Sequence, residues 1–145
     1  NAVYQYRSRI SGPLLDRIDL CVEMDPVSFS QLHGTGPVET SAQLREQVLA
    51  ARAIQTWRFA KLGYQGVHCN AQLTAGQVRQ VCRLTTGAQQ VLRLAYDRLA
   101  LSARSHDRLL RVARTIADLA GTGLIGKEAL LEALQYRMEN KVAIR

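Results

Sequence analysis

Cysteine, proline, aromatic residues and lysine are all scarce in this sequence. Its 145 residues include three cysteines, three prolines and 6% aromatic residues. The cysteines are far apart, with no C-x-x-C pair and no histidine at ligand spacing, so neither a disulfide framework nor a metal site is predicted. No apolar run approaches the roughly 18 residues that a bilayer span requires. We therefore expect a soluble protein of a reducing, cytoplasmic compartment.

The chain also lacks an initiator methionine and any signal-peptide pattern at its N-terminus. This predicts a segment of a longer protein. A hydrophobic content of 47% over this length is sufficient for one domain with a real core.

Charge of one sign prevails, and it comes almost entirely from arginine. The formal net charge is +7, and lysine occurs only at Lys61, Lys127 and Lys141. Because the planar guanidinium suits phosphate and carboxylate groups, the composition favours an anionic partner such as nucleic acid or nucleotide phosphate. A genome rich in G and C would produce the same bias, and composition alone leaves both explanations open.

Helical patterning dominates from Thr40 onward. A long amphipathic helix is predicted over about Thr40–Leu62, with an apolar face that includes Leu44 and Val48. Capping residues and apolar periodicity predict four more helices: Thr74–Leu84, Thr86 to about Leu101, one capped by Ser102, and about Lys127–Met138. The chain is therefore predicted to be mainly α, a helical bundle preceded by a basic N-terminal segment and one strand at Ile18–Met24.

The stretch Gly121–Glu128 nearly matches two phosphate-loop patterns. A phosphate cradle needs a strand before it and a hydroxyl after the lysine, whereas a helix precedes this stretch and Glu128 follows Lys127. The better interpretation is a connection between two helices.

The helix after Ser102 concentrates its arginines on one polar strip. Arg104, Arg108, Arg111 and Arg114 share this strip with acidic residues. Pairs at i,i+4, Asp107 with Arg111 and Arg114 with Asp118, would make it an ordinary solvated face. Arg104 and Arg108 have no acidic residue at i+4 and are the better phosphate candidates.

Arg17 lies in the segment RISGPLLDRIDL, between Asp16 and Asp19. The acids could neutralise the guanidinium, or they could orient it for a role elsewhere. The residues alone leave these two interpretations open.

Residues 9–20, together with LSARSHDRLLRVARTIADLAG and EALQYR, resemble the C-terminal portion of magnesium-chelatase-like AAA+ ATPases of the YifB/ComM competence family. ARAIQTWRF and CNAQL fit the same family more weakly. The resemblance implies that residues 1–25 end the AAA+ core, that 26–39 form a loop, and that 40–145 form a C-terminal helical lid. Where the family commonly reads DLH, this chain has Cys21, so any role of the usual histidine is in doubt.

The same resemblance implies roles for individual arginines. Arg17 matches the arginine finger, which reaches the ATP site of a neighbouring subunit, and Arg104 matches the sensor-2 arginine. Arg108 and Arg111 are assigned to nucleotide binding by helix face only. ATP and magnesium would be held by a core before residue 1 and not by this segment alone. The implied partners are that core, neighbouring subunits of a homo-hexamer and DNA, in the bacterial cytoplasm and without a membrane.

Three other functions stay open at this stage. The first is a basic module that binds nucleic acid without ATP, through Arg45, Arg52 and Arg58. The second is an ATP-driven magnesium chelatase subunit, and the third is a bundle that only binds proteins.

Overall fold

The structure, a computed structural model, describes residues 17–22, 24–29, 39–99 and 101–142. Within these ranges there are five α-helices and one 3-10 turn: α1 Ser41–Lys61, the 3-10 turn Asn70–Gln72, α2 Ala75–Val81, α3 Thr86–Leu99, α4 Ala103–Leu119 and α5 Lys127–Val142. The prediction of a mainly α fold is confirmed. None of these helices is long and apolar enough to cross a bilayer.

Local capping chemistry explains where the helices begin. Thr40 forms a capping box with Gln43, in which each side chain bonds the other residue's backbone N–H. Thr74 forms the same box with Gln77, and the Ser102 side chain accepts from the Ser105 N–H. The sequence predicted the Ser102 cap and predicted that helices begin at Thr40 and Thr74, because an N-cap depends on residues only two or three positions away.

Glycines with positive φ follow two helices, Gly63 after α1 and Gly121 after α4. Gly121, at φ +67°, lies just after the last residues of α4. The Thr122 N–H then bonds the Ala117 carbonyl at 2.9 Å, which closes a Schellman motif. The prediction that Gly121–Glu128 connects two helices is confirmed.

α4 is the central helix of the bundle and packs against α1, α2, α5 and the 3-10 turn, while α3 packs on α5. Its buried apolar residues meet those of the surrounding helices: Leu109, Leu110, Ala113 and Ala117 from α4, with Phe59, Val78, Ala88, Leu130 and Leu134 around them.

The predicted apolar face of α1 is buried only in its second half. Ala51 and Phe59 are in the core, whereas Leu44 and Val48 are 46% and 51% exposed. Leu62, which the periodicity placed on the same face, is 43% exposed, so Ala51 is the buried member of the predicted set.

The strand predicted at Ile18–Met24 is not found in residues 17–22 and 24. A strand needs a neighbouring strand to satisfy its backbone, and here the Cys21 N–H donates to the Tyr136 carbonyl of α5 at 3.0 Å. In the described ranges, β-type pairing is limited to a parallel bridge between Leu84 and Ile125. Residues 1–16 and 30–38, which carry the basic N-terminal segment and most of the predicted loop, lie outside the described residues.

Candidate functional site

The first turns of α4 bring one acidic residue from the N-terminal segment onto the arginine strip. Arg104 is exposed in the first turn, directly after the Ser102 cap. One turn later, Arg108 Nη1 lies 3.2 Å from Asp19 Oδ1. Asp19 therefore pairs with α4, and Arg17, two positions earlier in the chain, is exposed.

A groove of about 340 Å³ lies between α4, α5 and residues 19–20. Its walls combine apolar side chains with charged groups: Leu20, Val112, Ile116 and Leu119, with Asp19, Arg108, Arg111 and Glu132. Arg111 Nη2 donates to the Leu73 carbonyl at 2.6 Å, so its guanidinium is anchored to the 3-10 turn region. The predicted i,i+4 pair of Arg111 with Asp107 is replaced by this contact, and Asp107 lies instead 3.2 Å from the His106 ring.

The other end of α4 holds a buried ionic cluster, which we call the Asp118 cluster: Arg58, Asn70, Arg114 and Asp118. Asp118 is 1% exposed and Arg114 is fully buried. Arg114 Nε donates to Asp118 Oδ1 at 3.0 Å, and both terminal nitrogens of Arg58 donate to the same carboxylate. The Asn70 amide adds a fourth donor nitrogen at 2.8 Å.

The remaining donors of Arg114 are satisfied by the backbone. Its terminal nitrogens donate to the carbonyls of Thr122 and Gly123, the latter at 2.8 Å. The sequence predicted a solvated Arg114–Asp118 pair, which is wrong: the pair exists, but it is buried. It joins α1, the 3-10 turn, α4 and the connection to α5 at one point.

Burial controls ionisation around the Asp118 cluster. Desolvation lowers the pKa of Arg114, and the charge of Asp118 opposes that shift. Desolvation also raises the pKa of the nearby Cys82 thiol from 9.0 to about 12. A thiol held neutral in this way is a poor nucleophile. The Asp118 cluster itself joins parts of the bundle through buried, paired charges.

The arginines predicted to bind nucleic acid all belong to α1 but differ in their surroundings. Arg45 is exposed, and Arg52 donates to the His68 carbonyl at 3.2 Å. Arg58 is only 16% exposed and engaged by Asp118. Their role in DNA binding stays a prediction, for which Arg45 and Arg52 are the better placed.

Two acidic residues meet arginines with which the sequence had not paired them. Asp19 meets Arg108, and Asp118 meets Arg58 in addition to its predicted partner Arg114. Asp19 was considered only as a neighbour of Arg17, and Asp118 only as a partner of Arg114 within one helix. The sequence signal for Asp19 was its position after Arg17, but no local pattern points from it to Arg108. Among the described residues, no group of three His, Cys, Asp or Glu side chains is arranged to hold a metal ion.

Comparison with known families identifies the class of protein. The model for the C-terminal region of magnesium chelatase subunit ChlI matches residues 38–137, and the model for magnesium chelatase subunit ChlI matches residues 1–32. The chain therefore belongs to the magnesium chelatase ChlI family, as its resemblance implied.

Individual proteins are also similar to the chain along most of its length. The chain is 41% identical to the competence protein ComM of Haemophilus influenzae over 136 residues, which are 93% of this chain and 25% of that protein. It is 38% identical to YifB of Escherichia coli over 141 residues, 97% of this chain and 26% of that protein. The chain thus spans about a quarter of the length of these relatives.

Proposed function

We propose that this chain is the lid and arginine-finger segment of a ComM/YifB-like AAA+ ATPase. In the intact protein, Arg17 acts as the arginine finger toward a neighbouring subunit's ATP, and Arg104 acts as the sensor-2 arginine. Magnesium and ATP are held by the nucleotide-binding core of the intact protein, and this chain supplies cations to that site.

The exposure of the arginines carries this proposal. Arg17 and Arg104 are both exposed, whereas Arg58 and Arg114 are bound to Asp118 and Arg111 is bound to a backbone carbonyl. A guanidinium that must meet a phosphate has to be accessible and still charged. The two residues that match the family's functional arginines meet this requirement.

The chemistry required of Arg17 is electrostatic. Bound MgATP supplies the phosphoryl group, and negative charge develops on its oxygens during transfer to water. A correctly placed arginine is worth about 10³–10⁵ in rate in nucleotide hydrolases. Since Arg17 acts across a subunit interface, hydrolysis depends on assembly, for which we propose a homo-hexamer.

The proposed work of this motor is DNA remodelling or branch migration. Support comes from the net charge of +7 and from the printed name of one relative, a competence protein. The exposed Arg45 on α1 is the first candidate on this chain for contact with the DNA backbone.

The decisive experiment measures ATP hydrolysis by the intact protein. Arg17→Ala, a variant without the Walker A lysine, and a mixture of the two are compared at equal total concentration. We expect both single variants to be inactive and the mixture to recover activity, because a mixed interface can combine an intact finger with an intact nucleotide site. Normal hydrolysis by Arg17→Ala would overturn the finger assignment.

A further inference from the structure

We propose that Arg108 is a positioning residue for Arg17: through its ion pair with Asp19, it holds the finger segment on α4, so the position of the lid sets the position of the finger. This inference rests on the proposed function of Arg17. It assigns to Arg108 a role different from the phosphate contact that its helix face suggested.

The first step of the argument is the reach of the chain. Arg108 Nη1 and Asp19 Oδ1 are 3.2 Å apart. Arg17 is two residues before Asp19, and two residues span at most about 7 Å of extended chain. Fixing the Asp19 carboxylate therefore confines the backbone of Arg17 to a small volume beside the start of α4.

A second anchor lies on the other side of Asp19. The Cys21 N–H donates to the Tyr136 carbonyl of α5 at 3.0 Å, and Leu20 lines the groove between the helices. α4 and α5 are packed together and are also joined by Arg137, whose Nη2 lies 3.0 Å from Ser105 Oγ. The finger segment is therefore attached to two helices that are packed and hydrogen-bonded to each other.

Arg108 is also adjacent to the other proposed functional arginine. Arg104 and Arg108 are four residues apart on α4, which places their Cβ atoms about 5–6 Å apart on one face. A movement of α4 that follows a change at Arg104 would therefore displace Arg108, and through its ion pair also Asp19 and the backbone of Arg17.

The strength of the pair suits a positioning contact better than a structural one. The side chains of Arg108 and Asp19 are 20% and 53% exposed. Exposed ion pairs contribute little to folding, so losing this pair should leave the fold intact. Misplacing a catalytic group by about 1 Å, in contrast, can cost a hundredfold in rate.

The test uses the intact protein and steady-state ATP hydrolysis, with kcat and KM determined separately. Asp19→Asn removes the charge of the carboxylate at constant size, Arg108→Ala removes its partner, and the double variant measures their coupling. Asp19→Glu keeps the charge and serves as the conservative variant. Arg93→Ala, an exposed arginine of α3, is the matched control, and Arg17→Ala is measured alongside.

We expect Asp19→Asn and Arg108→Ala each to lower kcat by about tenfold to a hundredfold with little change in KM. The double variant should be hardly worse than either single one, because both remove the same contact. Asp19→Glu should retain most of the rate, and Arg93→Ala should be unaffected.

Two results would overturn the inference while leaving the finger assignment in place. If Arg17→Ala is inactive but Asp19→Asn and Arg108→Ala keep normal kcat, the pair does not position the finger. If Arg108→Ala raises KM while Asp19→Asn is normal, Arg108 contacts the nucleotide itself. Normal hydrolysis by Arg17→Ala would instead remove the proposed function, and this inference with it.

Discussion

The two ends of α4 carry ion pairs of opposite character. Near its N-terminal end, Arg108 meets a half-exposed Asp19 at 3.2 Å. Near its C-terminal end, a fully buried Arg114 shares Asp118 with Arg58 and Asn70. The exposed pair joins the helix to a separate chain segment, whereas the buried cluster joins the helix to the core of the bundle. Arginine–aspartate pairs therefore attach a chain segment at one end of α4 and stabilise the bundle at the other end.

Removing the central carboxylate should have the largest effect on stability. Asp118→Ala leaves the buried Arg114 and the largely buried Arg58 without a counter-charge, and breaking such a pair costs about 3–5 kcal/mol. Urea unfolding of the chain measures the free energy of unfolding directly. Asp97→Ala, at an exposed position of α3, is the control. A loss for Asp118→Ala as small as that of the control would show that the cluster is not an anchor.

Arg58→Ala should cost less, about 1.5–3 kcal/mol, which is the range for hydrogen bonds to charged groups. The loss is smaller because Arg114 and Asn70 still neutralise and bond Asp118. Arg45→Ala, on the exposed part of α1, is the matched control in the same unfolding experiment. Equal stability of the two variants would contradict the difference between the two parts of α1.

Because Cys82 is buried, we expect the stability of the fold to fall at alkaline pH. Its pKa is raised to about 12 in the folded chain, so the thiol ionises first in the unfolded state. The stabilisation that comes from burying the un-ionised thiol is complete below pH 9 and is lost as the pH rises toward 12. The free energy of unfolding falls by at most about 1.4 kcal/mol per pH unit in this range. The measurement compares the free energy of unfolding of the parent and of Cys82→Ala on either side of pH 9. If the two proteins lose stability with pH in parallel, Cys82 is not buried as an un-ionised thiol.

The smallest effect on stability is expected at the exposed pair. Asp19→Ala should lower the free energy of unfolding by less than about 1 kcal/mol, since screened surface pairs contribute little. Thermal melting at low and high salt measures this, and the small difference between parent and variant should shrink further at high salt. A loss comparable to that of Asp118→Ala would mean that the pair is part of the core and not a positioning contact.

Local patterns determined most of the secondary structure. Thr40, Thr74 and Ser102 each cap a helix where the sequence placed a cap, and Gly121 ends α4. These features depend on hydrogen bonds within one turn, which a sequence displays directly. The family could also be recognised, because the residues 9–20 and 101–121 are long and specific blocks.

Contacts between residues far apart in the sequence decided which arginines are buried and which partners they have. Helical periodicity placed Arg114 and Asp118 on a solvated strip, because a helix's own sequence does not show what covers each face. Asp118 is buried because Arg58 and Asn70, 60 and 48 residues away, bring donors that replace water. The same reason explains Asp19: its partner Arg108 is distant in sequence and becomes its neighbour only when residues 19–21 lie across α4 and α5. Sequence alone thus determined the helices, their caps and the family. The tertiary structure decided which arginines are buried and which remain exposed, since burial depends on segments that meet only in the folded chain.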